Sequence, residues 1–149
     1  MSEIRFYHLQ TQSLEQALPA LLAKAITTGK RILVRGTDEA RIKKLNEALW
    51  TYDAGSFLPH GIKKDGFNDQ QPIYLTANND DHPNGANVLI ALDGATMEDS
   101  EQFSLQCTMF NGQNPEHLAQ ARAQWKALKD SDNDLTYWQQ TATGWEKKG

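Results

Sequence analysis

Arg31-Ile32-Leu33-Val34-Arg35-Gly36-Thr37-Asp38 is the stretch on which the fold class turns. Ile32, Leu33 and Val34 stand in an unbroken apolar row. A strand with one wet face alternates apolar and polar residues. A strand covered on both faces does not need to, and such strands belong to parallel sheets with helices on either side. Gly36 then turns the chain, and Thr37 or Asp38 can cap a helix. That helix carries Ala40, Ile42, Leu45, Ala48, Leu49 and Trp50.

Working outward toward the N-terminus, Ile4–Leu9 (IRFYHL) reads as a first strand and Ser13 as the cap of a first helix. Leu14, Leu18, Leu21, Leu22 and Ala25 keep helical spacing, and Gly29 is a stop signal. Pro19 conflicts with that helix, since a proline in a helix interior costs about 3 kcal/mol. The helix is expected either to begin after Pro19 or to kink there. The order β-α-β-α points to an α/β fold.

Toward the C-terminus, Thr51–Asn84 is irregular, with Gly55, Pro59, Gly61 and Gly66 and one short strand at Pro72–Leu75. Asn78–Gly85 is a turn-rich loop. Ala86–Leu92 (ANVLIAL) is a central strand, ended by Asp93-Gly94. Phe103, Leu105, Cys107 and Met109 alternate, which predicts a strand from Gln102 onward. Asn114-Pro115 caps and opens the last helix, whose Leu118, Ala121, Trp125 and Leu128 share one face. Residues 134–140 and 143–148 form an aromatic C-terminal tail holding Trp138 and Trp145. No repeat, linker or low-complexity segment divides the chain. The expectation is a single domain, 1–149, with a mostly parallel central sheet flanked by helices. This is a nucleotide-binding-like three-layer fold without a phosphate loop.

Composition narrows the function. The 149 residues are 39% hydrophobic and 23% charged, the balance of a soluble globular chain. No apolar run reaches the ~18 residues of a membrane span, and the start, MSEIRFYHL, lacks the basic and apolar regions of a secretory signal. A cytoplasmic protein without membrane contact is expected. The lone Cys107 is expected to be a small buried hydrophobe, and the four histidines show no metal-ligand spacing. The net charge of −4 opposes non-specific binding to phosphate backbones. Direct DNA contact would require a local basic patch, for which the C-terminal third is the candidate.

No catalytic constellation emerges. Val34-Arg35-Gly36-Thr37 lacks the repeated glycines and the Gly-Lys-Ser/Thr ending of a phosphate cradle. Asp80-Asp81-His82 sits in a solvated turn, Asp93 belongs to an Asp-Gly turn, and His60 has no identifiable nucleophile or carboxylate partner. No cofactor is implied. Four tryptophans, Trp50, Trp125, Trp138 and Trp145, are the unusual feature. Any one of them reads first as core, and second as an interface anchor. Arg122, Lys126 and Lys129 share a helix stripe, with Trp125 one turn from Arg122. A guanidinium beside an aromatic slot suits a peptide ending in an aromatic residue with a free carboxylate. Spacing alone favours the simpler account, a solvated basic face.

A resemblance reverses that preference. Phe6-Tyr7-His8-Leu9, Gly29-Lys30-Arg31-Ile32-Leu33-Val34, Leu45-Asn46-Glu47-Ala48-Leu49-Trp50 and Ser56-Phe57-Leu58-Pro59-His60-Gly61 follow in order. Pro72-Ile73, Asn87–Leu92 and Ala121-Arg122-Ala123-Gln124-Trp125-Lys126 complete the series. Together they resemble the chi accessory subunits of bacterial DNA polymerase III holoenzyme. The resemblance implies a non-catalytic replication protein that bridges two partners. One is the psi subunit of the clamp-loader complex, and the other is the acidic C-terminal tail of single-stranded-DNA-binding protein. It assigns Arg122 to the tail carboxylate, with Trp125, Lys126 and Trp50 nearby. It assigns Phe57, Leu58, Pro59 and His60 to psi, and leaves the Tyr137–Gln140 segment open to either surface. Where family members can carry a lysine one turn before Arg122, this chain has Leu118. Contact with nucleic acid is then mainly indirect. The alternative is a direct single-stranded nucleic-acid-binding α/β protein that stacks bases on its tryptophans.

Overall fold

The computed structural model describes residues 3–26, 29–51, 60–62, 72–77, 85–92, 103–129 and 134–148. Along the chain these form β1 (Glu3–Leu9), α1 (Leu14–Ile26), β2 (Ile32–Arg35), α2 (Glu39–Thr51), β3 (His60–Gly61) and β4 (Ile73–Thr76). Then follow β5 (Val88–Leu92), β6 (Leu105–Asn111), α3 (Pro115–Leu128), β7 (Asp134–Thr141) and β8 (Gly144–Lys147). The strands make one sheet in the order β3-β4-β2-β5-β6-β1-β7-β8. Every ladder is parallel except β7 with β8.

The RILVR stretch behaves as its apolar row requires. β2 lies between β4 and β5, and Ile32, Leu33 and Val34 are each fully buried. Pairing in register assigns the two faces, because residues opposite one another in a ladder point the same way. On one face Ile32, Val34, Val88, Ile90, Cys107, Met109 and Tyr7 pack with Leu14, Leu18 and Leu22 of α1 and with Ile42, Leu45 and Leu49 of α2. On the other face Ile4, Phe6 and Phe110 pack with Leu118, Ala121, Trp125 and Leu128 of α3. Helices therefore cover both faces of the sheet, in three layers. Cys107 is part of the first core, where burial pushes its thiol up to about 12.

Of the two alternatives for α1, the later start does not hold: the helix begins at Leu14, before Pro19, and runs through the proline. Ser13 explains the early start. Its Oγ accepts from the Gln16 N–H at 3.3 Å, while Gln16 Oε1 accepts from the Ser13 N–H at 2.9 Å. This reciprocal capping box fixes the first turn. Pro19 then sits in the second turn with its ring buried among the apolar residues of the helix, which offsets the hydrogen bond it cannot donate.

Three strands, β3, β7 and β8, were not legible beforehand. The irregular Thr51–Asn84 region contributes β3 as well as β4, a two-residue edge pairing of His60 and Gly61 with Ile73 and Tyr74. The aromatic tail is a hairpin on the sheet. Gly144 takes φ 146°, a conformation open to glycine, and Thr141 Oγ1 donates to the Gly144 carbonyl at 3.1 Å. No helix among the described residues is long and apolar enough to cross a membrane.

Candidate functional site

The C-terminal ends of the strands are where nucleotide-binding α/β proteins hold phosphate, on free helix N–H groups. Here a cavity of about 460 Å3 lies at that end, lined in part by Ser13, Glu15, Asp38, Arg41, Asn114 and His117. The helix termini are satisfied from within. Asp38 Oδ1 accepts from the Ala40 N–H at 3.0 Å. Asn114 Oδ1 accepts from Glu116 and His117 N–H at 3.0 and 3.2 Å. Glu15 is paired with Arg41. Side-chain oxygens and a carboxylate thus stand where a phosphate cradle presents open donors.

The arrangement suited to a ligand lies on the α3 face. A groove of about 410 Å3 is lined by His8, Arg122, Trp125, Tyr137, Gln139 and Lys148. Four elements build it. β1 and β7 run parallel with Phe6 opposite Tyr137 and His8 opposite Gln139, so His8, Tyr137 and Gln139 share one face. α3 crosses above them and supplies Arg122 and Trp125. The chain leaving β8 supplies Lys148, whose backbone N–H donates to the Tyr137 carbonyl at 2.7 Å.

Trp125 belongs to both core and groove. Its ring meets Phe6 edge-on at 5.2 Å and Tyr137 at 5.8 Å, contacts that fix the indole before any ligand arrives. Tyr137 is tied to His8 by a 2.6 Å hydrogen bond between its hydroxyl and Nδ1. Arg122 is exposed, and its charge is felt by both partners of that bond. Burial and then the Arg122 charge hold the His8 imidazole below its ordinary range. Burial pushes the Tyr137 hydroxyl up, against the pull of Arg122. Gly112 is required beside them, because a Cβ there would overlap the His8 imidazole. Chemically, the groove offers a guanidinium and an ammonium above a fixed aromatic wall. That suits a carboxylate attached to a flat or apolar side chain.

The sequence-predicted residues divide as follows. Arg122 and Trp125 line the groove together. Lys126 is exposed one turn further along α3 and does not line it. Trp50 stands in the last turn of α2, the helix that covers the opposite face of the sheet. Phe57, Leu58 and Pro59 lie outside the described residues, as do Asp80-Asp81-His82 and Asp93. His60 is described only as part of β3. Leu118 packs against the Ile4–Phe6 core. Sequence reasoning missed His8 and Lys148, and reached Tyr137 and Gln139 only as part of a segment, Tyr137–Gln140, open to either surface. The signal for His8 and Gln139 was the alternation Ile4-Phe6-His8 and Leu135-Tyr137-Gln139, once β1 and β7 are known to pair.

A third concavity, of about 390 Å3, lies on the opposite face between α1 and the hairpin. Leu21, Cys107 and Met109 line it with Arg5, Lys24 and Trp145. Trp145 meets Tyr7 edge-on at 5.1 Å and is 39% exposed. Arg5 is held by Glu3 at 2.8 Å.

Comparison with known proteins gives a consistent family. A family model described as "DNA polymerase III chi subunit, HolC" matches residues 1–136. A "Probable DNA polymerase III subunit chi" of Rickettsia prowazekii (strain Madrid E) is 33% identical over 92 residues, 62% of this chain and 55% of that protein. The "DNA polymerase III subunit chi" of Escherichia coli (strain K12) is 33% identical over 63 residues, 42% of this chain and 43% of that protein. The chain thus spans about half the length of the curated relatives it matches.

Proposed function

The chain belongs to the DNA polymerase III chi-subunit family, and from that premise we propose that it is a non-catalytic accessory subunit acting in DNA replication in the cytoplasm. It forms one chi-like domain that bridges the psi subunit of the clamp-loader complex to the acidic C-terminal tail of single-stranded-DNA-binding protein. The observation that carries the reading is the groove in which Arg122 and Trp125 stand together over Tyr137. In this reading Arg122 takes the terminal carboxylate of the tail through paired hydrogen bonds. Trp125 and Tyr137 wall the slot for its last side chain. Lys126, outside the groove, attracts the acidic run from a distance. Trp50, carried by α2 on the opposite face of the sheet, is left out of the tail site, and Phe57, Leu58, Pro59 and His60 form the psi-facing side.

The test is a titration with a fluorescent acidic peptide ending in phenylalanine, free or amidated at its C-terminus. The free acid binds saturably. Amidation and Arg122→Ala each weaken binding by about 2 kcal/mol or more, the cost of unpairing a charge at an interface. Equal binding of acid and amide would remove Arg122 from the carboxylate role. A bare single-stranded oligonucleotide, which carries phosphates but no terminal carboxylate, is expected not to shift at moderate salt. Tight oligonucleotide binding would favour direct nucleic-acid recognition instead.

A further inference from the structure

We propose that Lys148, carried by the C-terminal hairpin, is the second cation of the Arg122 groove and reads the acidic run upstream of a bound peptide's terminal carboxylate. The inference rests on the reading of the groove as an acidic-tail site. An acidic tail brings several negative charges, and α3 gives the groove Arg122 alone. Leu118, one turn before, is packed into the core. Lys126, one turn after, does not line the groove.

The hairpin supplies what α3 does not. β8 pairs with β7 so that Trp145 opposes Gln140 and Lys147 opposes Trp138. Those residues point to the α1 face. Their neighbours Glu146 and Lys148 point to the α3 face, Glu146 opposite Gln139 and Lys148 beside Tyr137. The bond from the Lys148 N–H to the Tyr137 carbonyl extends the ladder one residue past β8. It fixes where the lysine stem begins. Lys148 lies beyond residue 136, where the family match stops, so this cation belongs to the part of the chain outside the shared pattern.

Glu146 sets the sign of a second effect. Its carboxylate accepts from Lys148 Nζ at 3.3 Å, with the two side chains 58% and 45% exposed. In the free protein Glu146 occupies the ammonium that the tail needs, and it presents a like charge to the tail. Neutralising Glu146 therefore favours binding, whereas removing Lys148 opposes it.

The experiment is a polarisation titration of the full chain at low and high salt. It uses an acidic peptide with a C-terminal phenylalanine, and the same peptide with its acids replaced by amides. With the acidic peptide at low salt, Lys148→Ala weakens binding about three- to fivefold, the range of an exposed ion pair. Lys148→Arg retains affinity, and Glu146→Gln tightens binding by a similar factor. These differences vanish at high salt and with the amide-substituted peptide, whereas Arg122→Ala remains damaging in every arm. Should Arg122→Ala abolish binding while Lys148→Ala and Glu146→Gln match the wild type, the groove reading stands and this inference falls. An equal effect of Lys148→Ala on both peptides also overturns it. Failure of the wild type to bind either peptide removes both.

Discussion

Trp125 shows how one side chain serves packing and recognition together. Its contacts with Phe6 and Tyr137 are core contacts, yet its remaining edge faces the groove beside Arg122. Such an anchor loses little conformational entropy on binding, because the core has already ordered it. His8 is the titratable residue of the same group. Its folded value lies below the ordinary one, through burial and then the Arg122 charge. Above about pH 6.5, the usual histidine value, His8 is neutral in both the folded and unfolded chain. As pH falls through that value the unfolded chain takes up the proton first, so the folded state loses stability. We expect the melting temperature of the wild type to fall more steeply on acidification from pH 7.5 to 5.5 than that of His8→Gln. Parallel curves for the two proteins would show that His8 is not held neutral by the fold.

At the scale of elements, the site depends on a helix and a hairpin that are anchored elsewhere. α3 is started by Asn114 and Pro115, and this was plain in the sequence because cap and proline are local signals. Its apolar stripe was equally plain, since Leu118, Ala121, Trp125 and Leu128 recur at helical spacing. The hairpin was not. In DLTYWQQ the apolar residues Leu135 and Tyr137 face α3 while Trp138 faces α1, so no clean alternation marks a strand. β3 is too short for any period to register. α1 was obscured by the general cost of proline, which the Ser13–Gln16 capping box and the burial of the ring outweigh.

Gln140 is the residue that fastens the hairpin side of the sheet. Its Oε1 accepts from the backbone N–H groups of Gln10, Thr11 and Gln12 at 3.2, 3.0 and 3.0 Å. Its Nε2 donates to Gln12 Oε1 at 2.6 Å. The side chain is buried, so truncation leaves donors near the end of β1 to be satisfied by water. Gln140→Ala is expected to cost about 1–2 kcal/mol, seen as a lower melting temperature. Hydrogen exchange at residues 10–12 and 144–148 should accelerate together. Unchanged exchange at both segments would mean that β8 is held by its ladder alone.

Across the whole molecule, the sheet separates two kinds of surface. The end that holds nucleotides in similarly layered proteins is closed by this chain's own caps and by the Glu15–Arg41 pair. The α3 face instead presents arginine, lysine and aromatic rings on a chain of net charge −4. The layered α/β class was readable from RILVR because burial on both faces writes itself into consecutive residues. Two of the six groove residues were readable for the same reason of locality: Arg122 and Trp125 are neighbours on one helix. The other four, His8, Tyr137, Gln139 and Lys148, come from β1, β7 and the end of β8. Only the parallel register of β1 with β7 and the antiparallel register of β7 with β8 bring them together, and register between distant strands leaves no local trace.

The most direct test of the central claim is to map where an acidic peptide with a free C-terminal phenylalanine perturbs the amide resonances of the isotope-labelled chain. Recognition through the groove predicts shifts centred on His8, Arg122, Trp125, Tyr137 and Gln139, including the Trp125 indole N–H. Shifts centred instead on Leu21, Lys24 and Trp145, across the sheet in the α1 cleft, would contradict it.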